Sequence, residues 1–176
     1  GPMAPYSSFD SIYPQDLWTY QEIQRNIGHD SIAIPHNGNV SDGWMYSPYK
    51  FLGELVDTRY ATRRMLNEPL TEMIQTKGSS EVHPMMSPND EFADFEPFSH
   101  AIDTESLGRD AKSPIGPGDF ARAALGRGLE LEAKVGVNPY KFGMIGSTDS
   151  HTGMSSAEED NFHGKTAFDS TPANTF

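Results

Sequence analysis

Helix-like and strand-like segments alternate along this chain, which points to an α/β fold with a parallel sheet. Three observations carry the expectation. Three stretches with apolar residues at helical spacing are each followed by a short apolar run. Each run ends in a polar cluster that contains His or Asp, at the strand ends where parallel α/β folds place their chemistry. A chain of 176 residues, 36% hydrophobic and 11% aromatic, also suits a folded domain rather than a disordered one.

In the first unit, Pro14 to Ile27 carries Leu17, Trp18, Tyr20, Ile23 and Ile27 at mostly helical spacing, and Gly28 closes it as a C-terminal cap. Ser31 to Pro35 then reads as a buried strand running into His36-Asn37-Gly38-Asn39. In the second unit, Phe51 to Leu66 reads as helix, with Leu52, Leu55, Val56, Tyr60 and Leu66 as its buried side, and Asn67-Glu68-Pro69 ends it. Leu70 to Gln75 is the strand, and Gly78 to His83 the polar cluster. In the third, Asp119 suits the N-cap of a helix from Phe120 to about Val135, and Phe142 to Ile145 is a strand running into Gly146 to His151.

Residues 84–118 are rich in proline, glycine and acidic side chains and read as a long irregular excursion, with a short helix around Asp90–Phe95. Gly1-Pro2-Met3 reads as the remnant of a cleaved affinity tag ahead of a start codon. The expected domain is then 4–153, followed by a polar tail over 154–176.

Composition excludes several chemistries. Zero cysteines rule out disulfides, thiolate zinc sites and a cysteine nucleophile. A net charge of −12 repels phosphate backbones, so nucleic acid is not an expected partner. Apolar runs are far too short for a membrane span, and no secretory pattern is read at the first residues, so cytoplasm and periplasm both stay open as expectations. The G-x-G-x-x-A match at Gly116 to Ala121 follows no strand and is crowded by proline, so it is read as a helix start. Asn39-Val40-Ser41 is a glycosylation sequon by pattern only. Arg59, Arg63 and Arg64 read as surface ion pairs, and His29, His100 and His163 as surface histidines.

The chemistry-bearing residues lie at the strand ends. Asp149 and His151 are one residue apart after a strand, so in extended chain both face one side and could share a metal. Glu81 and His83 repeat that spacing, and His36 follows the first strand. Imidazole with carboxylate suits zinc, manganese or iron. Taken singly, each is more often a hydrogen-bonded or solvated loop residue than a ligand; the repetition at three strand ends makes metal binding worth pursuing.

These residues also carry a resemblance. Ile34 to Asn39, Asn67 to Leu70, Lys77 to Pro84 and Ser87 to Phe92 are similar to a mostly bacterial family known as domain of unknown function thirty-six-oh-four. So are Asn138 to Gly143 leading into Asp149 to Gly153, and Glu159 to Phe162, so that the resemblance runs almost end to end. That family is usually placed in the PHP (polymerase and histidinol phosphatase) superfamily. The resemblance implies a distorted (β/α)7 barrel with divalent metals at the carboxyl ends of its strands, and metal-dependent hydrolysis, most often of phosphoesters. His36 would match a superfamily ligand, and Asp149 with His151 the final Asp-x-His pair. Glu81 and His83 fall in a family-specific segment and stand as ligands, substrate contacts or supports of the ligands.

The superfamily's opening His-x-His strand has no counterpart here, so the resemblance is to the C-terminal part of a longer catalytic domain. Metal binding that is weak or confined to one site, and little activity, are therefore expected of the isolated chain. The expected partners are a small-molecule substrate, such as a phosphoester, and a second copy paired through exposed sheet edges. The alternatives are a non-catalytic fragment that persists as a folding or binding module, and a small α/β protein holding a sugar or carboxylate.

Overall fold

The structure is a computed structural model and describes residues 5–98, 116–153, 158, 160 and 164–166. It is a mixed α/β arrangement of three helices and a small three-stranded sheet: α1 Pro14–Asn26, α2 Thr58–Asn67, β1 Leu70–Gln75, β2 Gly78–Ser79, α3 Ala121–Val135 and β3 Gly143–Gly146. The sheet order is β2-β1-β3. β1 and β3 are parallel, with Leu70 opposite Gly143 and Glu72 opposite Ile145, and a bulge falls between Glu72 and Ile74. β2 folds back antiparallel on the end of β1, through a two-residue turn at Thr76 and Lys77. Among the described residues no helix is long and apolar enough to cross a membrane.

Local chemistry accounts for the helices. Pro14 opens α1 at a position whose amide would have no helical partner, and Asp16 and Arg25 sit at the ends that the helix dipole favours for their charges. Gly28, at φ 89°, turns the chain out of the helix as expected. Asp57 caps α2 by accepting a hydrogen bond from Tyr60 N at 2.8 Å, and Pro69 limits its end. Gly136, at φ 79°, closes α3. Gly128 lies inside α3 because it packs on Asn138: a Cβ there would sit 2.1 Å from the Asn138 side-chain oxygen.

The core is aromatic. Trp18 of α1 meets Tyr60 of α2 edge-on at 4.8 Å, and Tyr46, Val56, Ala61, Ala121, Ala124, Leu131 and Tyr140 complete the buried cluster. Through it runs a polar network: Glu68 accepts from Trp18 Nε1 at 2.9 Å and from Arg64 Nε at 2.8 Å, while Arg64 also donates to the Met45 carbonyl at 2.6 Å.

Several expectations need correction. Ser31–Pro35 is extended but forms no strand of the sheet; it is tied alongside β1 by Ala33 N donating to Asn67 O and Glu72 N to Pro35 O. The second helix starts at Thr58 rather than Phe51, because Gly53 (φ 87°) turns the chain and Asp57 provides the cap. The turn leaves Leu52 and Leu55 on the surface, and Leu66 also faces outward, while Val56 and Tyr60 are buried as expected. Residues 90–95 form hydrogen-bonded turns rather than a helix. The third strand lies one residue later than expected, and the sheet is mixed because β2 runs antiparallel.

Asp119 is not an N-cap. Its buried carboxylate accepts from Gly43 N at 2.5 Å and Gly116 N at 2.9 Å and so fastens two loops together. Arg64 is buried rather than at the surface, whereas Arg63 does pair with Glu22, at 2.8 Å. His29 is exposed as expected; His100, His163 and most of the tail lie outside the described residues.

Candidate functional site

Because β1 and β3 are parallel, their carboxyl ends open on the same side of the sheet. β1 delivers Lys77 there, and β3 delivers Ser147 to His151. The extended segment beside β1 adds His36 and Asn37, with the His36 carbonyl accepting from Gln75 Nε2 at 2.5 Å. Lys77 joins the two sides: its ammonium donates to Asn37 Oδ1 and lies 3.4 Å from Asp149 Oδ2. Lys165 reaches the same carboxylate oxygen at 2.5 Å. The structure thus brings the His36–Asn37 loop and the Asp149–His151 segment together around one lysine.

Asp149 departs from the extended geometry that was expected to turn it and His151 to one side. Its backbone takes φ 54°, a left-handed conformation that Asp tolerates better than most residues. Partial burial opposes its negative charge, but the hydrogen bond and charge of Lys165, helped by Lys77, outweigh it and hold the carboxyl below its ordinary range. Lys77 is held below the usual ammonium range, first by burial and then by the charge of Lys165, with Asp149 only partly offsetting both. His151 donates from Nδ1–H to the Asp149 carbonyl at 2.6 Å, since a carbonyl can only accept. In a neutral ring that bond puts the lone pair on Nε2, the form in which a ring-oriented histidine binds metal. Its own amide donates to the Lys165 carbonyl at 2.6 Å, which fastens the 164–166 segment over the strand ends.

Glu81 and His83 are engaged elsewhere. Glu81 pairs with Arg122 in the first turn of α3, and Arg122 also holds Asp90. His83 accepts from Met85 N at Nδ1, 3.2 Å, and its ring lies 5.8 Å from that of Phe120. Their contacts fix the start of the excursion to α3.

The donor types at the strand ends, one carboxylate and two imidazoles, are those that a borderline divalent cation takes, but among the described residues they are not gathered around one point. Asp149 is a carboxylate that already holds two cationic groups, His151 offers Nε2, and the exposed His36 stands on the adjoining loop. The ammonium groups of Lys77 and Lys165 stand where a metal ion would compete for Asp149. Among the described residues, no three His, Asp or Glu side chains are gathered into one coordination group.

Sequence reasoning missed Lys77 and Lys165, because it sought only His and acidic groups. The signal available was that Lys77 follows β1 directly within Lys77-Gly78-Ser79-Ser80. Asn39, read as a chance sequon, is structural: its side chain is fixed by the Lys77 carbonyl at 2.6 Å and the Ser80 hydroxyl at 2.9 Å. The glycine of the G-x-G-x-x-A match is structural as well, since a Cβ on Gly118 would strike the Gly43 carbonyl at 2.3 Å.

No curated protein and no solved structure matches the chain. The sequence model of one family, described as protein of unknown function (DUF3604), matches residues 2–176. That match takes in the aromatic core, both walls of the Lys77–Asp149 cluster and the intervening excursion, so the chain belongs to the DUF3604 family.

Proposed function

We propose that the strand-end cluster belongs to a metal-dependent hydrolase of the PHP type, acting on phosphoesters, with β1 and β3 as two strands of its barrel. The observation that supports this most is the meeting of His36–Asn37 with Asp149–His151 at the carboxyl ends of a parallel strand pair, around a carboxylate that attracts cations. Asp149, His151 and His36 are the residues that would hold the metal. When bound, the metal supplies a lowered pKa for a coordinated water and polarises the phosphoryl oxygen. In this reading Asp149 keeps its charge through Lys165 and Lys77, His151 keeps Nε2 free through its bond to the Asp149 carbonyl, and Lys77 faces the anionic group of the substrate. Hydrolysis adds water across the P–O bond and releases an alcohol and a phosphate.

The test is turnover of bis(p-nitrophenyl) phosphate with and without added manganese or zinc. Metal-dependent release of p-nitrophenolate that falls by at least about 100-fold in Asp149→Asn supports the reading. Turnover that ignores both metal and the substitution refutes it. A second reading, a non-catalytic binding module, is favoured by one observation: both lysines already occupy Asp149. It predicts no turnover and no stoichiometric metal.

A further inference from the structure

α1 and α2 run parallel and in step. Trp18 lies against Tyr60, Glu22 pairs with Arg63 and Arg25 reaches Asn67, so corresponding turns of the two helices lie side by side. Their buried residues face the core, and their outer sides enclose a groove lined by Thr19, Glu22, Arg59, Thr62 and Arg63. Steps of three and four residues continue its walls to Ile23 on α1 and Leu66 on α2. Ile23 falls between Glu22 and Arg25, and Leu66 between Arg63 and Asn67, so the two stand on the same turn. They are 51% and 60% exposed, and Ile27, at the end of α1, is 57% exposed.

Charge distinguishes this face from the rest of the molecule. The groove holds two arginines against one glutamate, in a chain whose net charge is −12. Arg63 is matched by Glu22, whereas among the described residues no ion pair or side-chain hydrogen bond engages Arg59. The face therefore favours a partner that offers apolar side chains flanked by carboxylate, and a second copy of the chain offers both. Arg59 lies roughly 10 Å of helix before Leu66. The exposed Asp30 follows the opposite end of α1, past the turn at Gly28, and its carboxylate accepts only from Ser31 N, at 3.0 Å. Ile23 and Leu66 thus stand between a free cation at one end of the face and a carboxylate at the other.

We propose that the outer face of α1 and α2 is a self-association surface, covered by the same face of a second copy. A two-fold axis through the Ile23–Leu66 turn sets the two helix pairs antiparallel, gathers both isoleucines and both leucines at the centre and brings Arg59 of each copy toward Asp30 of the other. Apolar burial at the centre drives the contact, and the charges fix its direction. The surface is separate from the strand ends and does not rest on the hydrolase reading; it also differs from pairing through sheet edges.

Sedimentation velocity of the whole chain between about 10 and 500 µM tests it. The expected result is a reversible monomer–dimer equilibrium with a dissociation constant on the order of 100 µM or tighter. Ile23→Glu and Leu66→Glu, both at exposed positions, are each expected to weaken the dimer by at least about tenfold. Met144→Glu, on the exposed strand β3, adds the same charge elsewhere and is expected to change it by less than about twofold. Arg59→Asp is expected to weaken the dimer by about fivefold, and adding Asp30→Arg to it to restore the affinity. Circular dichroism establishes that each variant is folded. A chain that stays monomeric at about 500 µM, a dimer indifferent to both Ile23→Glu and Leu66→Glu, or one lost through Met144→Glu overturns the proposal. A double charge variant no tighter than Arg59→Asp overturns the antiparallel arrangement.

Discussion

Arg64 lies in the buried network between α2 and the loops around Tyr46 and Tyr140. Besides Glu68 and the Met45 carbonyl it contacts the Tyr140 hydroxyl at 3.3 Å, and its guanidinium lies 4.8 Å from the Tyr140 ring centroid. Removing it strands the Glu68 carboxylate, only 9% exposed, beside Trp18. Arg64→Ala is therefore expected to destabilise the fold by about 3–5 kcal/mol, measured by urea denaturation. A loss below about 1 kcal/mol would place Arg64 among ordinary surface residues. The site shows the same contrast between charges that can be read and charges that cannot. Asp149 and His151 stood out because they follow the apolar run that becomes β3, and His36 because it follows a run that reads as a strand but joins no sheet. Lys165 did not, since it reaches Asp149 from a polar segment sixteen residues away that carries no periodicity.

Among the elements, β1 was legible to the residue because Pro69 and Gly78 bracket it. α2 was not, because Leu52 and Leu55 fall at helical spacing but lie around the turn at Gly53 and before Asp57, whose cap sets the helix start. Once the cap is placed, its contribution is testable. The Asp57 carboxyl is held below its ordinary range by Lys50 and then by the Tyr60 amide. Asp57→Ala is expected to cost about 1 kcal/mol and to shorten protection of α2 in hydrogen exchange. Unchanged protection in the first turn of α2 would show that the cap does not set the helix start.

At the scale of the whole molecule, the first expected strand failed to join the sheet although its segment does run beside β1. Only scattered hydrogen bonds tie it there, because Pro35 interrupts the donors a ladder needs. The parallel pair that remains is what sets the two halves of the site side by side. The core imposes its own pH limit. Burial pushes the Tyr60 hydroxyl up to about 12 and raises Tyr46 and Tyr140 as well. A phenol raised above its unfolded value of about 10 gives stability that is fully present below that pH and lost as pH rises through about 12. Absorbance at 295 nm should accordingly show these tyrosines ionising together with loss of near-ultraviolet dichroism. Their ionisation below pH 10 in a molecule that stays folded would contradict the buried aromatic core.

The most direct test of the strand-end account is manganese binding, followed by loss of the free-ion electron paramagnetic resonance signal. If Asp149, His151 and His36 hold a divalent cation, the wild-type chain takes up manganese in stoichiometric amount. Asp149→Asn and His151→Ala each then weaken binding by at least about tenfold, and Lys165→Met strengthens it by removing a competing ammonium. No binding by the wild type, or binding indifferent to all three substitutions, would contradict it.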